Sequence, residues 1–114
     1  MYNPKAIDNL LRIGEKELVL QVVSLYRDHV PPKISGLSAL LNAKNFKDLE
    51  RTAHSIKSSA GNLGLDEVLE AARQLEHAAA HEAEAECTLS LETLLQASQA
   101  ANESLNHLEE KLSS

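Results

Sequence analysis

The sequence has no tryptophan, one cysteine and few aromatic residues. These shortages limit the fold classes that the chain can adopt. Aromatic residues make up 3% of the 114 positions, so leucine, valine, isoleucine and alanine must supply the hydrophobic core. Such a core suits packed helices better than a β-sheet, whose strands favour aromatic and β-branched side chains. A single cysteine, Cys87, cannot form an intramolecular disulfide, which is consistent with a reducing compartment.

Long hydrophobic runs are also missing. No stretch approaches the roughly 20 apolar residues that a membrane-spanning helix needs. The N-terminal MYNPKAIDNLL lacks the apolar core of a signal peptide. The four glycines are scattered, so there is no glycine-rich loop for nucleotide phosphates. We therefore expect a cytoplasmic protein with one domain over residues 1–114 and no membrane partner.

The charge is acidic overall and unevenly distributed. The net charge is −6, but residues 1–65 contain nine Lys or Arg and six Asp or Glu, whereas residues 66–114 contain two and eleven. Four cations lie close to His54 in the sequence: Lys44, Lys47, Arg51 and Lys57. A basic patch on an acidic protein indicates an acidic protein surface as partner, because the rest of the molecule would repel a nucleic-acid backbone.

Apolar residues recur at steps of three and four, which predicts four or five helices and no strand. The first helix is short, with Asn3 as its N-cap, Pro4 at its first position and Gly14 at its end. A second helix begins near Glu15 and meets Pro31-Pro32, where it either kinks as one helix or breaks into two segments.

Three further helices are predicted after residue 45. The third runs from about Phe46 to Leu63 and ends at Gly64, the fourth covers residues 65–81, and the last carries an apolar stripe from Cys87 to Leu112. The acidic HEAEAE between the last two is a helix end or a turn. Long amphipathic helices with short connections predict an antiparallel up-and-down four-helix bundle, here with a short extra N-terminal helix.

His54 lies in the segment AHSIKSSAGNLG, residues 53–64, one helical turn before Lys57 and close to several small residues. It is turned about 130° from the centre of its helix's apolar stripe, so it faces solvent or a partner. A neutral imidazole nitrogen is a nucleophile near neutral pH. A cation one turn away would stabilise the negative oxygens of a transferred phosphoryl group. We predict that His54 carries a phosphoryl group beside Lys57.

The imidazole would also need to be oriented. A carboxylate that accepts a hydrogen bond from one ring nitrogen fixes the tautomer and leaves the other nitrogen free to attack. The fourth helix offers Glu76 as the first candidate, with Glu70 and Gln74 as weaker ones. Spacing alone does not choose among the three.

These residues resemble the histidine-containing phosphotransfer (HPt) domains of bacterial two-component phosphorelays. The family pattern is a histidine, a lysine three residues later, a small residue, and a glycine seven positions after the lysine. Here it reads as His54, Lys57, Ser58 and Gly64. Serine stands where glycine is commonest, and serine also occurs there in the family. The specific likeness covers about residues 46–76.

The resemblance implies a phosphorelay intermediate. His54 would accept a phosphoryl group from a receiver-domain aspartate and pass it to another receiver, with response-regulator receivers or a hybrid sensor histidine kinase as partners. Glu76 matches a position where Glu or Gln commonly hydrogen-bonds the active histidine. The family has no kinase activity and no cofactor of its own, because Mg²⁺ belongs to the receiver, and we expect a monomer. The implied docking surface consists of Lys47, Arg51, Ser58 and Gly61.

Three questions stay open at this point: the function of the bundle, a metal site and the role of Gly61. A helical adaptor that does no chemistry would share the bundle but has no need of the His54–Lys57 pair. His77 and His81, spaced i, i+4, could bind zinc or nickel, yet nothing in the sequence fixes a third ligand, so no metal site is predicted. Gly61 either leaves room for a partner or marks fraying at the helix end.

Overall fold

The computed structural model describes residues 2–113, which form four α-helices and no strand. The helices are α1 (Pro4–Asn42), α2 (Phe46–Asn62), α3 (Asp66–Ala80) and α4 (Glu84–Ser113). Each packs against the next helix in the chain, and α4 also packs against α1. Three-residue connections make consecutive helices antiparallel neighbours. The predicted all-α bundle is therefore confirmed.

The helix α1 is interrupted once, at Gly14 and Glu15. Gly14 has φ −139°, and Glu15 has φ +60°, so residues 4–13 form a short arm set off from the rest of the helix. This arm begins as predicted, because the Asn3 side chain accepts a hydrogen bond of 2.9 Å from the Lys5 N–H. It is the short N-terminal helix that the sequence pattern predicts.

The chain stays one helix at Pro31 and Pro32, where no backbone angle leaves the helical region. A proline inside a helix costs about 3 kcal/mol, because it removes an amide donor and crowds the preceding turn. Val30, Ile34 and Leu37 are buried around the two prolines, and burying a side chain of this size contributes about 1.5–3 kcal/mol. Packing against the core therefore offsets the cost that would otherwise break the helix.

The core lies between the apolar stripes of the four helices. On α2 the buried positions include Leu49, Ala53 and Ile56, as the pattern predicts, and they determine which side of α2 faces outward. On α4 the predicted apolar stripe from Cys87 to Leu112 includes Ser98 by its steps of three and four residues, but the structure buries Ala97 and leaves Ser98 half-buried. Across residues 2–113, no helix has both the length and the apolar character to cross a membrane.

Gly64 connects α2 to α3 and contacts the N-terminal arm. Its φ is +64°, and its carbonyl accepts a hydrogen bond of 2.6 Å from the Asn3 N–H. A Cβ at position 64 would lie 2.7 Å from the Cβ of Asn3 and 2.9 Å from its backbone nitrogen. Gly64→Ala is therefore expected to lower the free energy of unfolding by about 2–4 kcal/mol in urea denaturation, from backbone strain and the clash together.

Gly36→Ala is the matched control for this substitution. Gly36 is exposed within α1, and a Cβ there would meet no atom within 4 Å. Because alanine is the better helix former, the control should raise the free energy of unfolding by up to about 1 kcal/mol. A Gly64→Ala variant as stable as the wild type would show that the turn relaxes without cost.

Candidate functional site

The side chain of His54 projects from the middle of α2 into solvent. It is 59% exposed, because Ala53 and Ile56 occupy the core side of the helix and turn position 54 away from it. The predicted outward orientation of the imidazole is therefore observed.

Glu76 of α3 bridges the histidine and the lysine. One carboxylate oxygen, Oε2, lies 2.7 Å from Nδ1 of His54, and the other, Oε1, accepts a hydrogen bond of 2.7 Å from Nζ of Lys57. His54 and Lys57 leave α2 one turn apart, and Glu76 reaches both of them from the antiparallel neighbouring helix. The structure thus brings the three predicted site residues into one cluster.

The two weaker candidates for orienting the ring have other partners. The Glu70 carboxylate accepts hydrogen bonds from the Arg73 guanidinium, one of them 2.9 Å long. The Gln74 amide donates a hydrogen bond of 3.4 Å to the same carboxylate. Of the three candidates, the one that contacts the imidazole is therefore Glu76.

The contact with Glu76 determines which ring nitrogen of His54 is available. An ionised carboxylate only accepts hydrogen bonds, so the ring hydrogen belongs on Nδ1. In the neutral ring, Nε2 then carries a free lone pair on the side away from Glu76. The cluster therefore presents an oriented nitrogen nucleophile at an exposed position.

The Glu76 carboxylate is held in its charged form. Partial burial raises its pKa, but the hydrogen bonds from Lys57 and His54, together with the positive charge of Lys57, outweigh that effect, so the pKa lies below its ordinary value. The ionised carboxylate in turn favours the hydrogen on Nδ1 and balances the charge of Lys57. The three groups therefore depend on one another.

Glu76→Gln should make the free energy of unfolding less sensitive to acid. The lowered pKa means that the carboxylate contributes stability above its unfolded-state pKa and loses it as the pH falls through the folded-state value. Glutamine keeps an acceptor but no charge. The variant should therefore be less stable than the wild type by about 1 kcal/mol near pH 7, since the cluster lies close to solvent. Urea denaturation near pH 3 should show a much smaller difference.

Glu92→Gln is the control for this comparison, because Glu92 is exposed on α4 and has no part in the cluster. It should leave the stability unchanged at both pH values, within about 0.5 kcal/mol. A Glu76→Gln variant destabilised equally near pH 7 and near pH 3 would mean that the Glu76 charge contributes nothing.

Two further side chains form hydrogen bonds beside the histidine. The Ser58 hydroxyl donates a hydrogen bond of 3.2 Å to the His54 carbonyl, so it is turned back along α2. Lys33 of α1 donates a hydrogen bond of 2.6 Å to the Ser55 hydroxyl, next to His54 in the chain. Sequence reasoning missed Lys33, since 22 residues separate it from Ser55 and only the packing of α1 on α2 brings the two together.

The predicted docking residues form one exposed strip along α2. Together with His54 they follow steps of four and three residues, so they share one side of the helix. The exposed positions are Lys47, Arg51, His54, Ser58 and Gly61. A Cβ at Gly61 would meet only Leu69 Cδ1, at the ordinary contact distance of 3.4 Å, so internal packing does not require a glycine there. A role for this strip in docking stays a prediction.

The pair His77 and His81 lies at the C-terminal end of α3. Their ring centroids are 4.4 Å apart, and Nδ1 of His81 is 2.9 Å from the His77 carbonyl oxygen. In the part of the chain that the structure describes, no group of three or more His, Cys, Asp or Glu side chains is placed to hold a metal ion. Among residues 2–113, therefore, no third ligand lies beside this pair.

Comparison with known proteins identifies a matching family and two similar solved structures. A family model for the Hpt domain matches residues 21–112. The search of curated proteins finds no match. The chain is similar in structure to a histidine-containing phosphotransfer protein from maize, ZmHP2, with 21% identity and a TM-score of 0.79, covering 95% of this chain and 83% of that one. A rice protein named as a candidate of the same class gives 18% identity and a TM-score of 0.80, covering 99% and 84%. At these identities, the two structures show a shared fold.

Proposed function

The chain belongs to the Hpt domain family, and we propose that it is a phosphorelay intermediate in which His54 carries the phosphoryl group. His54 would accept the group from the aspartyl phosphate of a response-regulator receiver domain and pass it to the aspartate of another receiver. The observation that carries the proposal is the contact of 2.7 Å between His54 Nδ1 and Glu76 Oε2. In the neutral ring this contact leaves a free lone pair on Nε2, and the side chain that presents it is 59% exposed.

The proposed step is a displacement at phosphorus. The lone pair of Nε2 forms a bond to phosphorus while the bond between phosphorus and the aspartyl oxygen breaks, which returns a carboxylate to the receiver. No proton has to leave Nε2, because the ring hydrogen is on Nδ1. The ring gains positive charge, and the Glu76 carboxylate stabilises it. Transfer to a second receiver reverses these steps and regenerates the neutral imidazole.

Lys57 supplies positive charge beside the nucleophile. Its Nζ donates to Glu76 at 2.7 Å, and its side chain is 28% exposed, so it lies at the boundary between the cluster and solvent. The three oxygens of the transferred group stay negative throughout the reaction. An ammonium group one helical turn away therefore stabilises both the transition state and the phosphohistidine.

The remaining catalytic groups belong to the partner. Glu76 supplies the carboxylate of the cluster, and the ammonium group of Lys57 lies 2.7 Å from it, so a divalent cation such as Mg²⁺ would be repelled there. We assign the Mg²⁺ to the receiver's acidic site, which would dock on the strip around His54. In this proposal the protein is a monomeric, cytoplasmic phosphocarrier without kinase activity. Its partners are receivers or a hybrid sensor histidine kinase.

Phosphoryl transfer from a receiver tests this function. The purified domain is mixed with receivers of its own organism, each phosphorylated by a small-molecule phosphodonor in the presence of Mg²⁺. At least one receiver should transfer phosphate to the domain, and that phosphate should be labile in acid and stable in alkali, as a phosphoramidate is. Incorporation from none of the receivers, or an acid-stable product, would contradict the proposal.

A further inference from the structure

A shallow groove runs along the outer seam between α3 and α4. Two adjoining hollows of about 440 and 340 Å³ meet at Gln74 and form it. The groove exists because the residues at its base are short: Ala71, Ala78 and Ala97 are all buried there. Leu89 lines the groove and is 64% exposed. The seam therefore combines an apolar base with an uncovered leucine.

Acidic side chains line the groove. They come from both helices and are Asp66, Glu67, Glu70 and Glu86. The groove also has Arg73, whose guanidinium is already bonded to Glu70, and the exposed His77. Residues 66–114 as a whole contain eleven Asp or Glu and two Lys or Arg. The groove therefore favours a positively charged occupant.

We propose that this groove binds a basic amphipathic helix of a partner protein. The groove follows α3, whose 15 residues extend over about 22 Å at 1.5 Å per residue, and a partner helix of about four turns has the same length. Apolar side chains spaced i, i+3, i+7 on that helix would fill the space above the alanines and contact Leu89, while flanking Lys or Arg would pair with the acidic side chains. A second copy of this chain placed groove to groove would bring like charges together.

The groove and the His54 cluster use different sides of α3. Glu76 reaches α2, where it contacts His54 and Lys57, whereas the groove is built from α3 and α4. Both surfaces can therefore be occupied at the same time. The domain can stay bound to one protein through the groove while His54 exchanges phosphate with another.

The test uses the ¹⁵N-labelled domain and a synthetic helical peptide of about 15 residues, with leucine on one face and lysine on the flanks. A second peptide with glutamate in place of lysine is the probe control. Amide resonances of the groove residues on α3 and α4 should shift on addition of the lysine peptide and stay unchanged with the glutamate peptide. Shifts centred on α2 would overturn the proposal. So would concentration-dependent shifts of the groove residues without peptide, which would make a second copy the occupant.

Matched variants separate the groove from the overall charge. Glu67→Lys with Glu86→Lys should weaken peptide binding at least about tenfold, whereas Glu92→Lys with Glu103→Lys makes the same charge change outside the groove and should weaken it less than about threefold. Equal weakening by both pairs would overturn the proposal.

A second pair of variants tests the apolar contact. These variants do not change the charge, so they remain informative even where a charge variant does not fold. Leu89→Ala should weaken binding at least about threefold, and Leu95→Ala, at a leucine that is 40% exposed outside the groove, should not. Circular dichroism melts establish that the variants are folded. If the folded Leu89→Ala variant binds the peptide as tightly as the wild type does, the proposed binding site of the helix is wrong.

Discussion

His54→Gln is expected to abolish phosphate incorporation from a phosphorylated receiver, with a loss on the order of 10³-fold or more, as for the removal of other enzymatic nucleophiles. Glutamine is polar and close in size to histidine, but its amide nitrogen has no lone pair available for attack. The bundle should remain folded, because the side chain at position 54 is mostly exposed and exposed substitutions change stability by about 0.5 kcal/mol or less. The measurement is acid-labile phosphate on each protein, with a thermal melt of both.

His107→Gln is the matched control, since His107 is an exposed histidine on α4 with no part in the cluster. Its phosphate incorporation should equal that of the wild type. Incorporation that survives His54→Gln and disappears with His107→Gln would move the phosphorylation site to α4. Equal incorporation by wild type and both variants would leave no role for either imidazole.

Lys57→Ala is expected to slow phosphoryl transfer by about 10²- to 10³-fold, the usual range for removing one group that stabilises developing charge. The nucleophile and its Glu76 contact remain, so transfer should be slowed and not abolished. The free energy of unfolding should fall by about 1 kcal/mol, because Glu76 loses one of its two donors near solvent. Single-turnover transfer from a phosphorylated receiver measures the effect.

Two further variants test whether the transfer rate depends on a positive charge at position 57 or only on the total charge of the protein. Lys16→Ala removes a cation from an exposed position on α1, away from the cluster, and should transfer at the wild-type rate. Lys57→Arg keeps the charge with a different shape and should recover part of the lost rate. If folded Lys57→Ala transfers as fast as the wild type, Lys57 serves only to hold Glu76.

The arrangement of the histidine bears on the adaptor alternative. A buried His54 with both ring nitrogens bonded to protein groups would favour the adaptor. Here the ring of His54 is exposed, and its hydrogen bond to Glu76 uses Nδ1. The geometry therefore favours phosphotransfer at His54, and the receiver experiment decides between the two functions.

The helices and their buried faces could be predicted from the sequence because they depend on local properties. The stripe through Leu49, Ala53 and Ile56 follows from the period of the helix, and it also implies that His54 faces outward. The end of α2 could be predicted from Gly64, because glycine adopts a positive φ, here +64°, at little cost. The spacing of His54 and Lys57 is likewise a property of a single helix.

Only the tertiary structure decided the features that involve two helices. It selected Glu76 over Glu70 as the partner of the imidazole, brought Lys33 to Ser55, and opened the groove between α3 and α4. The period of one helix says which residues face inward, but it contains no information about its register and rotation relative to a neighbour. The register and rotation depend on how the side chains of both helices interlock across the core. Packing against the core also kept α1 helical through its two prolines.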